Sequence, residues 1–176
     1  MTVRIREVAF DPHAEEREHA ATLAPGAFGA TASFVGTMRD VSEGDDVVGM
    51  ALEHYPGMTE RELGAIVTEA RERWTLIDAL IVHRVGAILP GEPIVLTAVW
   101  SAHRAAAFEA CRFLMEALKS RAPFWKQETL RDGSTRWVER NTPGSTPGSV
   151  VGDTSGQTVG QTAGDTSGQT AGQTAD

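Results

Sequence analysis

At Asn141 the chain changes character, and that break limits what can fold. Beyond it the 176-residue sequence is almost wholly Thr, Pro, Gly, Ser, Gln and Ala, and residues 152–163 recur at residues 164–175 with one change, Val159 to Ala171. Such a segment buries too little apolar surface to offset the entropy of ordering it, and two copies fall short of the three or more that a stacked repeat needs. A folded domain is therefore expected over residues 1–140, with residues 141–176 a low-complexity, disordered tail.

About 140 residues suffice for one hydrophobic core and hardly for two. No apolar run is long enough to span a membrane. The first ten residues place Arg4, Arg6 and Glu7 among apolar residues, unlike a signal peptide. A single cysteine, Cys111, leaves no internal disulfide framework and fits a reducing, cytoplasmic setting. All sixteen basic residues precede Asn141, against twenty-one of the twenty-four acids, so the folded part carries a net charge of −5. General nucleic-acid binding is excluded on that balance, and any anionic ligand has to be held by a local cluster.

The patterning is mixed α and β. Val3 to Phe10 alternates like a strand, and Pro12 opens a short helix to about Leu23. Residues 27–38 and 47–55 read as strands joined by a polar turn at Gly44, Asp45 and Asp46. Thr59 and Glu62 form a capping-box signature, followed by Leu63, Ile66, Val67, Ala70 and Trp74 at helical spacing. Residues 77–85 and 93–100 are apolar strands around Pro90-Gly91. A second long helix runs from about Ala102 to Arg121 and stops before Pro123. Residues 124–130 and 136–139 close the domain as a hairpin around Asp132-Gly133.

Three places carry chemistry. The first is Ser101-Ala102-His103-Arg104, where Ser101 is a candidate N-cap but the next charges are basic, at the end where the helix dipole disfavours cations. A bound anion would resolve that conflict, since first-turn N–H groups, a histidine and an arginine converge there. An exposed helix start with Arg104 paired to a carboxylate is the plain alternative. The second is the pair Lys119 and Lys126, the only lysines beside fourteen arginines. Arginine cannot supply a titratable amine, so two lysines flanking Pro123-Phe124-Trp125 suggest a nucleophile or acid–base group in a partly apolar pocket. Chance in a lysine-poor composition is the alternative. The third is Gly36-Thr37-Met38-Arg39, a strand ending in a cation that could clamp a phosphate or carboxylate. Cys111 reads as a small core residue, and His54 and His83 as packed or capped groups. No metal-ligand spacing, dinucleotide motif or phosphate loop is present.

Longer motifs carry a resemblance. Leu52-Glu53-His54-Tyr55-Pro56-Gly57-Met58, then His103-Arg104 with Ala107-Phe108-Glu109-Ala110, then Leu118-Lys119 with Arg121-Ala122-Pro123-Phe124-Trp125-Lys126, resemble the large, catalytic subunits of molybdopterin synthases in order and spacing over residues 3–140. The repeat tail has no counterpart in that pattern. The stretch from Thr129 to Thr135 differs from it in length, so no role is carried over to Arg136 or Arg140.

The resemblance implies an α+β domain of the α/β hammerhead type, with a mixed sheet and two long helices. It implies a homodimer carrying one small ubiquitin-like sulfur-carrier subunit at each end, a heterotetramer. It further implies a sulfurtransferase that converts a cyclic pyranopterin monophosphate (precursor Z) to molybdopterin. The two dithiolene sulfurs would come from a thiocarboxylate on the carrier's C-terminal Gly-Gly, with no cofactor or metal. The implied substrate-binding positions are Thr37, Met38, Arg39, His103, Arg104, Lys119, Lys126, Gln127 and Glu128, with Lys119 and Lys126 catalytic. The rival from another class is a non-catalytic, dimeric anion- or pterin-phosphate-binding module. A phosphate-ester hydrolase is a lesser rival for want of metal ligands.

Overall fold

A computed structural model describes residues 3–138; the repeat tail, Glu139 and Arg140 lie outside the described residues. In chain order the elements are β1 (Val3–Arg6), α1 (Pro12–Ala20), β2 (Ala30–Thr37), β3 (Val41–Ser42), β4 (Asp45–His54), α2 (Met58–Arg73), β5 (Leu76–Arg84), β6 (Gly86–Ile88), β7 (Pro93–Ser101), α3 (Arg104–Arg121), β8 (Phe124–Leu130) and β9 (Thr135–Val138).

Two sheets organise these elements. The first has the order β1-β5-β7-β2 and is mixed, because β1 runs parallel to β5 while the other pairs are antiparallel. Its central strands, β5 and β7, are buried on both faces. On one face Ala79, Ile81, Val95 and Val99 pack with Leu63, Ile66 and Val67 of α2 and with Ala107, Ala110 and Leu114 of α3. On the other, Leu80, Val82, Leu96, Ala98 and Trp100 meet Phe10, Ala20, Leu23 and Phe28. Alternate residues of one strand thus serve two cores, which is why the sequence there is a continuous apolar run rather than an alternating one. The second sheet has the order β3-β4-β8-β9, with β6 also paired to β4, and covers a smaller cluster of Met38, Val47, Met50, Leu52 and Ile88. No helix among the described residues is long and apolar enough to cross a membrane.

Both long helices and the two hairpins fall where the periodicity places them. Other expectations need correction. Residues 27–38 and 47–55 are not partners: β2 pairs with β7, whereas β4 pairs with β8. The polar turn instead serves the short β3–β4 hairpin, in which Glu43 and Gly44 both have positive φ. The N-terminal strand and first helix are shorter than their patterns, ending at Arg6 and Ala20.

The capping box on Thr59 and Glu62 does not form. The cap lies at Gly57, whose φ of 80° suits glycine, and its N–H donates to the Glu60 carboxylate at 2.6 Å. Thr59 is thereby inside the first turn and buried, and Glu62 is left to accept from Arg121 Nε at 2.9 Å. Nor is Ser101 the cap of α3. It is the buried last residue of β7, its hydroxyl donating to the Thr75 carbonyl at 3.1 Å, and the cap position falls to His103.

Candidate functional site

The strand β7 and the helix α3 are joined by Ala102 and His103 alone, so α3 must fold straight back over the sheet. Cys111 Sγ, 3.5 Å from the Thr97 hydroxyl, marks this return, four residues back along the strand and seven residues into the helix. The edge strand β2 runs alongside, with Ala30 opposite Ser101 and Thr37 opposite Pro93. From the Ser101 level, seven steps along β2 cover about 23 Å at the strand rise. Fifteen residues of α3, from Arg104 to Lys119, cover about 22 Å at the helix rise. Thr37-Met38-Arg39 and Lys119 therefore reach the same end of the domain, and His103-Arg104 sits at the opposite end.

Each member of the near group is held by local structure. Met38 is clipped to the Pro90-Gly91 turn, its N–H donating to the Glu92 carbonyl at 3.0 Å and its carbonyl accepting from Gly91 at 2.9 Å. Its side chain is buried with Met50 and Leu52, leaving Thr37 and Arg39 exposed on either side. Lys119 is exposed on the last turn of α3, where a cation is favoured by the helix dipole. Arg121 ties that turn to α2 through Glu62 and Glu69, at 2.9 and 2.6 Å.

Between Lys119 and Lys126 the chain is fixed by Phe124. Its ring stacks on His83 with centroids 3.8 Å apart and planes within 10°. His83 is buried, donates through Nδ1 to the Arg84 carbonyl at 2.8 Å, and is pushed down to about 4 by burial, so the imidazole is neutral near pH 7. It is a packed group rather than a metal ligand, and it anchors the passage from α3 into β8. The sequence reading of His83 as a packed or capped group and of Phe124 as part of the segment between the lysines leaves out only their stacking on each other, which joins β5 to β8.

Lys126 enters a charge cluster. Its Nζ donates to Glu128 Oε1 at 2.9 Å, and Glu128 Oε2 accepts from Arg136 Nε at 3.0 Å. Glu128 is only 3% exposed. Burial opposes its ionisation, yet hydrogen bonds from Lys126, Ser42 and Arg136 hold its carboxyl below the usual range. Strand alternation separates Gln127 from this cluster. It lies with Trp125 on the other face of the sheet, near a cleft lined by Glu53, His54, Tyr55, Trp125 and Trp137.

Of the two lysines around which a partly apolar pocket is expected, Lys119 is exposed and Lys126 is half-buried beside a carboxylate. Two surface clefts, the one just described and one between α1 and Trp100, include neither lysine. Cys111 is a core residue, its thiol raised by burial and so unsuited to attack as thiolate. At the far end, His103 and Arg104 are exposed at the start of α3, where the His103 side chain makes no capping hydrogen bond and the first turn holds no acidic residue. The turn is tight: Gly29 donates to the Ser101 carbonyl at 3.0 Å and lies against Ala102.

Comparison with known proteins identifies the family and the fold. A family model described as "MoaE protein" matches residues 8–121. The molybdopterin synthase catalytic subunit of Pseudomonas aeruginosa is 51% identical over 140 residues, covering 79% of this chain and 91% of that one. Among solved structures, a molybdopterin biosynthesis MoaE protein from Burkholderia ambifaria is 50% identical with a TM-score of 0.66, covering 78% of this chain and 88% of the other. A complex of subunits 1 and 2 of the molybdopterin-converting factor from Helicobacter pylori has the same fold at 19% identity, with a TM-score of 0.68 and coverages of 81% and 94%.

Proposed function

This chain belongs to the MoaE protein family, and on that premise we propose that it works as the catalytic subunit of a molybdopterin synthase in molybdenum cofactor biosynthesis. The substrate is a cyclic pyranopterin monophosphate. The partner is a small subunit whose C-terminal Gly-Gly thiocarboxylate delivers the sulfur twice, with opening of the cyclic phosphate. The observation that carries the reading is the convergence of the Arg39 strand end with the Lys119-to-Lys126 segment at one end of the domain.

A thiocarboxylate is already a good nucleophile. What remains for the protein is to position it, to accept the substrate's charge and to manage protons. Lys119, exposed and therefore reachable by an incoming tail, is assigned the central role. Lys126 stabilises developing negative charge, Arg39 with Thr37 and Met38 frames the substrate, and His103 with Arg104 takes the phosphate. Glu128 supports this group by holding Lys126, whereas Gln127, a substrate-binding position in the family pattern, faces the other side of β8.

One chain cannot assemble all of this, because Arg104 and Lys119 are about 22 Å apart on one unbroken helix. A twofold homodimer removes the difficulty. It brings the His103-Arg104 turn of one protomer to the Lys119 end of the other, twice over, and a carrier at each end completes a heterotetramer. The exposed face of α3, with Phe108 65% exposed between the two ends, supports such a contact.

The test is reconstitution with thiocarboxylated carrier and substrate, comparing wild type with Lys119→Arg. Loss of dithiolene formation with fold and carrier binding intact is expected. Activity within about tenfold of wild type, roughly 1.4 kcal/mol of barrier, would remove Lys119 from the chemistry, whereas a wild-type chain that forms no dithiolene under these conditions would favour an anion-binding module.

A further inference from the structure

The residue that the family pattern leaves without a role, Arg136, has an unusual set of partners. It lies on β9 directly opposite Glu128. Its guanidinium is divided three ways: Nε to Glu128 Oε2 at 3.0 Å, one terminal nitrogen to Asp45 Oδ2 at 2.7 Å, and the other to the Ser42 carbonyl at 3.0 Å. We infer that Arg136 is a positioning residue for the sulfur-transfer reaction: through the buried Glu128 carboxylate it sets where the Lys126 ammonium sits, and through Ser42 and Asp45 it locks that lysine to the segment leaving Arg39. The inference rests on the role given to Lys126 above.

The physical case starts from Glu128. A carboxylate this deeply buried has to be met by cations and hydrogen bonds, and it has two oxygens to satisfy. Lys126 and Arg136 take one each. With Oε2 occupied by Arg136, the ammonium settles on Oε1 alone. A lysine ammonium has three donors, so it can hold Oε1 and still present N–H bonds to a ligand. Without Arg136 the flexible lysine would be drawn across both oxygens and away from the substrate's side.

The same guanidinium fixes a second relation. Residues 40–45 run directly from Arg39 into the β3–β4 hairpin, whose Ser42 carbonyl and Asp45 carboxylate are both held by Arg136. One planar fork therefore connects the strand bearing Lys126 to the segment that carries Arg39, a geometry that lysine at position 136 could satisfy only in part.

A plain alternative is that Arg136 merely pins β9 to the hairpin. The two roles differ in their pH signature. Charged or hydrogen-bonding groups facing Glu128 are Lys126 on β8, Arg136 on β9 and Ser42 on β3, with Asp45 on β4 behind Arg136. Glu128 is ionised at neutral pH and holds Lys126 in that form. Removing Arg136 removes one stabiliser of the ionised form, so protonation, and release of Lys126, would occur at higher pH. The acid limb of activity should move upward, which a purely structural pin does not predict.

The chain contains only two lysines, so protein labelled with 13C-lysine gives two ε-methylene signals, assigned with Lys119→Arg. The experiment compares wild type, Arg136→Gln and Arg136→Lys as full chains with thiocarboxylated carrier and substrate. In Arg136→Gln the Lys126 signal should move while that of Lys119 stays. The acid limb should shift to higher pH, and kcat at its foot should fall about tenfold with KM changed by less than about twofold, the pattern of a lost transition-state interaction. Arg136→Lys should recover part of the rate. A folded Arg136→Gln whose Lys126 signal and pH profile superimpose on wild type overturns the inference. If the signal moves while the profile does not, Arg136 holds Lys126 but the catalytic part is refuted, and with it the assignment of Lys126.

Discussion

Replacing Gly29 by alanine should loosen the turn that presents His103 and Arg104. A Cβ at this position would lie 2.7 Å from the carbonyl oxygen of Ala102, closer than any real contact, and the obstacle is backbone that cannot rotate away. Relief requires the start of β2 and the β7–α3 turn to part by several tenths of an ångström. They are linked by the Gly29 N–H to the Ser101 carbonyl at 3.0 Å, so that hydrogen bond lengthens as well. Overpacking of this kind costs about 1–3 kcal/mol. At about 3 °C per kcal/mol for a domain of this size, Tm should fall by roughly 3–9 °C in a circular-dichroism melt. KM for the substrate should rise more than kcat falls if, as proposed, the displaced turn binds phosphate rather than reacting atoms. The control is Gly64→Ala in the middle of α2, where nothing lies within 4 Å of the new methyl. It should raise stability by about 0.5–1 kcal/mol through helix propensity alone. An unchanged Tm for Gly29→Ala, with the control behaving as stated, would refute the steric argument.

Further expectations concern groups the chemistry does not use. Cys111→Ser should keep full sulfur transfer, since in the proposed reaction the sulfur arrives with the carrier, but should lose about 1–3 kcal/mol in denaturant titration because a hydroxyl replaces a buried thiol. Turnover lost in a well-folded variant would implicate the thiol. His83 is held down to about 4 by burial, against about 6.5 when unfolded. Between those values the unfolded chain binds the extra proton, so stability should fall as pH drops from about 6.5 toward 4, by up to about 3 kcal/mol. His83→Gln should flatten that part of the pH–stability curve; an unaltered slope would place the dependence elsewhere.

How far the sequence discloses this molecule depends on the range of the forces involved. The helix through Leu63, Ile66, Val67 and Ala70, and the one ending before Pro123, are visible because their periodicity and stop signals are local. Strand partners are not: nothing in residues 27–55 says that two successive strands join different sheets, since pairing is decided by what each can cover. The cap at Gly57 was hidden because capping rules look for a side-chain oxygen, whereas here the donor is a glycine N–H and the acceptor lies three residues on. The site divides the same way. The scarcity of lysine singles out Lys119 and Lys126 in the bare sequence. That Glu128 points inward and is shared with Arg136 depends on the register of β8 and β9, which the sequence does not specify on its own.

The shared-site account meets its most direct test in mixed dimers. Arg104→Ala and Lys119→Ala are each expected to be inactive, one lacking the phosphate clamp and the other the central amine. Mixed in equal amounts and allowed to re-pair, half the dimers carry one mutation in each protomer. In each of these, one of the two twofold-related sites takes both defects and the other takes neither. Sulfur insertion should then return to about a quarter of wild type. Heterodimers demonstrated by mass spectrometry in a mixture that remains inactive would contradict the account, for Arg104 and Lys119 would then belong to one protomer's site or to different reactions.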